Sequence, residues 1–176
     1  MRQFRYHPFY CEENAWWLCA VPRLAPGPRY VVFVGNQRGH CPFLHQRAAA
    51  PGALCWWDYH VVVLDGARRI WDLDSRLPQP MALAAWLHAS FPFAERLPGP
   101  LRPRFRVVRG AAYLRDFTSD RSHMRDDAGN YHYPPPPWPA IGAGMNLHDY
   151  TSMASPRPGA LFELGAFANR FGDPAR

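Results

Sequence analysis

The chain has 176 residues, 48% of them hydrophobic, with seven Trp, eight Tyr and eleven Phe. That is enough apolar surface for one packed domain and too much for a disordered chain. The formal charge is +6 and all twenty basic residues are Arg, but they are scattered along the chain, so no nucleic-acid partner is expected.

No N-terminal apolar run resembles a signal peptide, and no segment approaches the apolar length that spans a bilayer. A cytoplasmic protein with no membrane partner is therefore expected. Twenty prolines favour short elements and long ordered loops over a helix bundle.

Residues 11–20, CEENAWWLCA, read as a short helix. Glu12 and Glu13 suit the positive end of its first turn, and Trp16, Trp17 and Ala20 offer apolar positions at helical spacing. Pro22 and the APGP run end it. RYVVFVGN is a continuous apolar strand bounded by Gly35 and Asn36, expected to be buried on both faces. Residues 36–54 read as loop. WWDYHVVVLDGARRIWDLD is the clearest hairpin, with two β-rich runs flanking Asp65-Gly66.

PMALAAWLHASF reads as an amphipathic helix presenting Leu83, Trp86, Leu87 and Phe91, stopped by Pro92. RFRVVRG is another strand. Arg102, Arg104 and Arg106 alternate there and share a face, read as solvated, with an anionic-partner patch as the alternative. AAYLRDF reads as a short helix. From Thr118 to Ser155 the chain is polar and rich in Pro and Gly, with PPPPWP in polyproline II form. So long an irregular stretch inside a compact domain reads as a functional covering loop. ALFELGAFANRFGDP reads as a strand entering a helix capped by Gly172 and stopped by Pro174. This order predicts an α+β fold: one domain over 1–176, with a largely antiparallel sheet flanked by helices.

The four cysteines are expected to be reduced. Cys11 and Cys19 cannot pair on one helix, because eight residues rise about 12 Å. No CxxC pair exists, and GHC at 39–41 is the nearest thing to a metal fragment, so neither a metal nor another cofactor is expected.

Cys11 stands at a helix start, where unpaired N–H groups and the dipole favour a thiolate. Glu12 and Glu13 oppose that, so a cationic partner would help. The plain alternative is a buried structural cysteine. His60 lies mid-strand and Asp72 on the returning strand. A three-residue loop would set Leu64 against Arg68 and His60 against Asp72, with Cβ atoms about 5 Å apart. A two-residue Asp65-Gly66 turn would oppose His60 to Trp71 and send Asp72 to the other face. Asp74 shares the face of Asp72 and is the rival orienter, while a satisfied core histidine is the plain alternative for His60. Cys on a helix start, then a strand His and a strand Asp, is the order used by papain-like and transglutaminase-like enzymes.

YCEEN, WDYHVVVL, WDLDSRLPQP, RFRVVR, TSDRSHM, PPPPWP, MNLHDYTSM and the final NRFG together resemble the protein N-terminal glutamine amidohydrolase family, from about Tyr10 to Gly172. The resemblance implies a transglutaminase-like cysteine-hydrolase fold. It implies deamidation of an N-terminal Gln side chain to Glu with release of ammonia. On matching positions it implies a triad of Cys11, His60 and Asp72.

It further implies no cofactor, protein or peptide partners with a free N-terminal Gln, and a cytoplasmic monomer acting in N-degron processing. The departures are the short DGA hairpin loop, the Pro-rich region 22–28 and the HYPPPP lead-in. Selectivity for a free N-terminus calls for a carboxylate or convergent carbonyls, and Glu12, Glu13, Asp74 and Asp120 are the candidates. His123, in SDRSHM, reads as ordering the covering loop rather than as a rival base. The competing functions are a cysteine protease or transglutaminase acting at internal sites, and a non-catalytic module that binds peptide N-termini.

Overall fold

Val31 to Val34 carry no polar side chain, so both faces of their strand must be covered. The computed structural model describes residues 4–22, 24 and 26–172. In it, β1 (Tyr30–Gly35) is central to a six-stranded sheet. With β4 (His60–Leu64), β5 (Arg69–Trp71), β6 (Met81–Ala82), β7 (Arg104–Arg109) and β8 (Ala160–Glu163), the order is β6-β5-β4-β1-β7-β8, and every pairing is antiparallel. A separate two-stranded sheet joins β2 (Cys41–Phe43) to β3 (Cys55–Trp57). The helices are α1 (Cys11–Ala20), α2 (Leu83–Ser90), α3 (Gly110–Asp116), α4 (Leu147–Thr151) and α5 (Leu164–Phe171).

Period-two alternation sorts the strands between two cores. Val31, Phe33, Val61, Val63 and Val108 pack with Cys11, Ala15, Leu18, Tyr113, Leu147 and Tyr150 from α1, α3 and α4. Val32, Val34, Val62, Leu64, Phe105 and Val107 pack with Phe43, Leu83, Trp86, Leu87, Phe91 and Phe167 from β2, α2, α5 and the turn after α2. Each such fully buried aliphatic or aromatic side chain contributes about 1.5–3 kcal/mol. The fold is thus a single α+β domain with a largely antiparallel sheet. Among the described residues no helix is long and apolar enough to cross a membrane.

Several expectations are corrected. The segment 36–54 is not all loop: Cys41–Phe43 pairs with Cys55–Trp57. The first run of the hairpin therefore breaks at Asp58 and Tyr59, and the central strand begins at His60. The buried side of α1 is Cys11, Ala15, Leu18 and Cys19, together with Glu12, Glu13 and Asn14, while Ala20 is exposed and Trp16 and Trp17 are half-buried. The arginine face is solvated only in part: Arg102 is exposed and Arg104 half-buried. Arg106 has no exposed surface and donates to the carbonyls of Ser152, Ser155 and Pro158, tying down the loop before β8. Arg104 pairs with Glu163, and Arg102 donates to the Glu95 and Leu97 carbonyls. Gly172 follows α5 with φ −70°, so it ends that helix without a left-handed cap. The stop assigned to Pro174 lies outside the described residues, as does Ala25 of the APGP run.

The hairpin has neither expected loop. Val63 pairs with Trp71 and Leu64 with Ile70, and Asp65 N–H donates to Arg69 O at 2.9 Å across the connection. This register is two residues away from the three-residue loop. An even shift leaves Asp72 on the face of His60. Pairing between β4 and β5 stops at Trp71, so β4 has no β5 partner from His60 to Val62. That open edge positions the site.

Candidate active site

His60 begins β4 with 1% of its surface exposed. Phe43 meets its ring edge-on at 5.4 Å, and the Trp57 ring stacks parallel to it at 5.6 Å. Its Nε2 bonds Asp72 Oδ1 at 2.8 Å. Asp72 is fully buried, and its other oxygen accepts from Gln46 Nε2 at 3.0 Å and Trp86 Nε1 at 3.2 Å. Gln46 in turn accepts from Trp57 Nε1 at 3.3 Å. The Asp72 backbone N–H donates to Gln79 Oε1 at 2.7 Å.

Burial alone would push the Asp72 carboxyl up. The His60 charge and the bonds from His60, Gln46 and Trp86 outweigh it and hold it below the usual range. For His60, burial works downward, but the Asp72 carboxylate and its hydrogen bond bring the pKa above the ordinary 6.5. His60 Nδ1 has no hydrogen-bond partner among the described residues.

Cys11 is the first residue of α1 and is 8% exposed. It packs against the unpaired edge of β4, and the N–H of Val61, next to His60, favours its thiolate. That influence loses. Burial first, then the charges of Glu12 and Asp74, push the thiol well above its ordinary value. The opposition expected from Glu12 is present, and burial and Asp74 add to it, so the helix start is outweighed. The thiol leans on Glu12 Oε2 at 3.7 Å. Glu12 has no exposed surface. Tyr59 Oη approaches its Oε2 at 3.5 Å, and Oε1 faces His123 Nε2 at 3.5 Å without a hydrogen bond. Cys19 and Cys41, packed among apolar groups, are pushed to about 12 by burial.

Glu13, one residue on, is also fully buried and fully engaged. Arg121 donates to both its oxygens at 2.6 and 2.8 Å, and Trp138 Nε1 donates at 2.8 Å. Arg121 also donates to Trp138 O at 2.9 Å and adopts the left-handed φ of 65°. The SDRSHM and PPPPWP segments are thereby clamped to α1. Tyr10 Oη adds a bond to Tyr133 O at 3.1 Å, and Phe9 stacks on Tyr133 at 3.7 Å. The covering loop leaves a cavity of about 560 Å³ whose walls include Cys11, Asp58, Tyr59, Asp74, His123 and Tyr133.

The description "N-terminal glutamine amidase" matches residues 6–171. The chain belongs to the N-terminal glutamine amidase family. A protein N-terminal glutamine amidohydrolase of Homo sapiens is 39% identical over 180 residues, covering 95% of this chain and 87% of that protein. The protein of the same description from Danio rerio is 36% identical, with 95% and 89% covered. That from Arabidopsis thaliana is 33% identical, with 86% and 76% covered.

Set against this amidase frame, the expected residues divide. His60 and Asp72 share a hydrogen bond, and Cys11 lies against the backbone of Val61. Asp74 lines the cavity and accepts from Tyr6 Oη at 2.9 Å, so it is not the residue bonded to His60. Glu12 sits behind the thiol, and Glu13 is spent on Arg121 and Trp138. Asp120 is exposed, its carboxylate taken by the Ser122 N–H at 2.9 Å, and it does not line the cavity. His123 belongs to the covering loop, as expected, but also lines the cavity against Glu12. Gln46, Trp57, Trp86, Tyr59 and Arg121 escaped the sequence reading. WDYH and SDRSHM hinted at three of them; nothing near Gln46 or Trp86 marks a partner for Asp72. Among the described residues no three His, Cys, Asp or Glu side chains converge as a metal site would require.

Proposed function

We propose that this chain hydrolyses the side-chain amide of an N-terminal glutamine of proteins or peptides, giving glutamate and ammonia. The proposal includes a transglutaminase-like cysteine-hydrolase architecture in which residues 1–176 form one catalytic domain. The observation that carries it is the buried Asp72–His60 pair, left with a free Nδ1 at the edge where Cys11 starts α1. Family membership and the activity named for the relatives support it.

His60 Nδ1 takes the proton of Cys11, and Sγ attacks the carbon of the glutamine side-chain amide. The oxyanion draws on backbone N–H groups, including that of Cys11, which at a helix start lacks an intrahelical acceptor. His60 returns the proton to the amide nitrogen, the C–N bond breaks, and ammonia leaves a thioester on Cys11. Water gives a proton to His60 and attacks the thioester carbon. The C–S bond breaks, His60 returns the proton to Cys11 Sγ, and glutamate departs. Asp72 fixes the imidazole tautomer and stabilises the imidazolium in both halves. These steps use only the three side chains, backbone and water. The enzyme acts as a cytoplasmic monomer in this reading.

The test is ammonia release from a Gln-initiated peptide beside its N-acetylated copy and an internal-Gln peptide. The reading requires release from the first and hardly any from the others. Equal release from all three would return the protein to the transglutaminase class.

A further inference from the structure

The mechanism leaves two buried acids around Cys11 without a task. Glu12 holds Oε2 3.7 Å from the thiol, and its Oε1 has no hydrogen-bond partner among the described residues. Asp74 lines the cavity with Cys11 and is 6% exposed. A nucleophile that must ionise is an odd neighbour for two carboxylates, since each opposes a second negative charge nearby. Substrate supplies the missing cation: a free N-terminal residue brings its ammonium within a few bonds of the amide carbon that Cys11 attacks.

We propose that Asp74 receives the substrate α-ammonium and that Asp74 and Glu12 together hold Cys11 as a neutral thiol until that ammonium arrives. The inference rests on the N-terminal glutamine amidase reading and deepens it. Docking of the ammonium neutralises the charges that oppose ionisation, and the Cys11 proton then passes to His60 Nδ1. Specificity for a free N-terminus thereby enters chemistry as well as binding. An acetylated or internal glutamine lacks the cation that releases the nucleophile. The idle enzyme is also protected, because the thiolate is the form that alkylates and oxidises.

The groups facing the thiol come from every neighbouring element. α1 contributes Glu12, and β4 contributes His60 and the Val61 N–H. Asp58 and Tyr59 precede β4, Asp74 follows β5, Tyr113 comes from α3 and His123 from the covering loop. Burial, Glu12, Asp74 and Asp58 act upward on the thiol, against the Val61 N–H. Asp74 itself is raised by burial and by the Asp72 and Glu12 charges, against His60 and the Tyr6 bond. An arriving ammonium therefore stabilises both partners. Coupling between amine binding and thiol ionisation is reciprocal.

The test is a titration of enzyme carrying ¹³Cβ-labelled cysteine, whose chemical shift reports thiol ionisation, with Cys11→Ala assigning the resonance. It is run free, with a norvaline-initiated peptide that has the amine but no side-chain amide, and with the acetylated form of that peptide. Competition against turnover of a Gln-initiated peptide sets saturation. The free-amine peptide should raise the Cys11 thiolate fraction near pH 8 at least about tenfold, the size expected of one nearby opposite charge, and the acetylated form should not.

Asp74→Asn should raise that fraction in the free enzyme while raising KM for the Gln peptide about 10–100-fold, with kcat much less affected. Competition without increased ionisation, no competition by the free amine, or an Asp74→Asn enzyme with unchanged titration and KM each overturns the inference. If no ammonia is released from the Gln peptide, the reading beneath it fails too. Ammonia release with a thiol indifferent to the amine sinks this inference alone.

Discussion

The two sides of the cavity are built on opposite principles. Around Asp72, polar groups are matched: its oxygens take His60, Gln46 and Trp86, and Gln46 takes Trp57. The exception is His60 Nδ1, which has no hydrogen-bond partner among the described residues. Around Glu12, the matching fails: Glu12 Oε1 and both ring nitrogens of His123 have no hydrogen-bond partner among the described residues although all three are buried. Buried polar atoms left unpaired cost about 1–3 kcal/mol each. A satisfied network locks one geometry; an unsatisfied one is poised for something else to complete it. The Asp72 side therefore reads as the machinery that aims a base, and the Glu12 side as the part that awaits a substrate.

Removing the nucleophile tests both sides at once. Cys11→Ala should lower kcat/KM by about 10⁴-fold or more, in keeping with loss of a nucleophile that acts as a unit with its base. The small change in a buried first turn should leave the fold intact, as circular dichroism and thermal melting would record. Cys19, Cys41 and Cys55 should each tolerate Ala with turnover largely kept. Retained activity in the Cys11 variant would leave the thiol a structural one.

The comparison then divides two acids. Asp72→Asn should lower kcat by about 10³–10⁴-fold, because an amide can turn its N–H toward His60 and fix the wrong tautomer. Asp74→Asn should do less to kcat and act mainly on KM, since Asp74 faces the cavity and Tyr6 rather than the imidazole. Were Asp74 the more damaging site in kcat, the aiming machinery would lie on the other side.

Glu12 and Glu13 carry the contrast within one turn of helix. Arg121→Met leaves the fully buried Glu13 facing only Trp138. Removing one partner of a buried ion pair costs about 3–5 kcal/mol. Denaturant unfolding should register that loss, and the double variant Arg121→Met, Glu13→Gln should recover part of it. Stability near wild type in the single variant would mean the loop is not clamped through this pair.

How much of this could be read from the chain depends on the range of the interaction. The helix through Trp86 follows from local periodicity and the buried run at Val31 to Val34 from unbroken apolar composition, and the structure keeps both; it also keeps the helix at Cys11, but not the buried side expected of it. Cys41–Phe43 was lost because three residues containing a proline carry no alternation. The pattern leaves the face of Asp72 open between two loop lengths and misses its register, since the Asp65 side chain holds a wider connection by accepting from the Ala67 and Arg69 N–H groups. Arg106 looked solvated because arginine alternation is a local cue, whereas the carbonyls that bury it lie beyond residue 151. Gln46 and Trp86 meet Asp72 across 26 and 14 residues, and no local pattern predicts such a meeting.

A subtler break tests whether the satisfied side needs to be satisfied. Gln46→Ala removes one hydrogen bond to Asp72 while Trp86 and His60 remain. A bond to a charged group contributes about 1.5–3 kcal/mol, and only the part that steadies the imidazolium reaches the transition state. The expected result is a fall in kcat of about tenfold with KM little changed. No change in kcat would make Gln46 a packing residue.

The smallest effect, and the one that reads both sides together, is the pH profile. Burial, Glu12 and Asp74 push the Cys11 thiol well above its ordinary value, and Asp72 raises His60 above 6.5 against burial; the proposed mechanism accordingly starts from thiol and imidazole rather than from thiolate and imidazolium. The reactive free enzyme then needs His60 unprotonated. A raised His60 pKa moves the acid limb of kcat/KM above pH 6.5: activity is lost as pH falls through that raised value, because His60 gains the proton it must be free to accept. On the alkaline side the thiol does not limit, but the substrate amine does; an α-amino group ionises near 7.7–8.0, and above that the cation needed on the Glu12 and Asp74 side disappears. The profile should be a narrow bell. Asp72→Asn, by removing the charge that raises His60, should shift its acid limb downward and leave the alkaline limb in place. Asp74→Asn should do the converse, weakening the dependence on the amine while moving the acid limb little. Stopped-point assays of kcat/KM from pH 5.5 to 9 separate the limbs. An acid limb well below 6.5 in the wild-type enzyme would mean a resting ion pair, with the negative charge already on Cys11 and no task left for the carboxylates beside it.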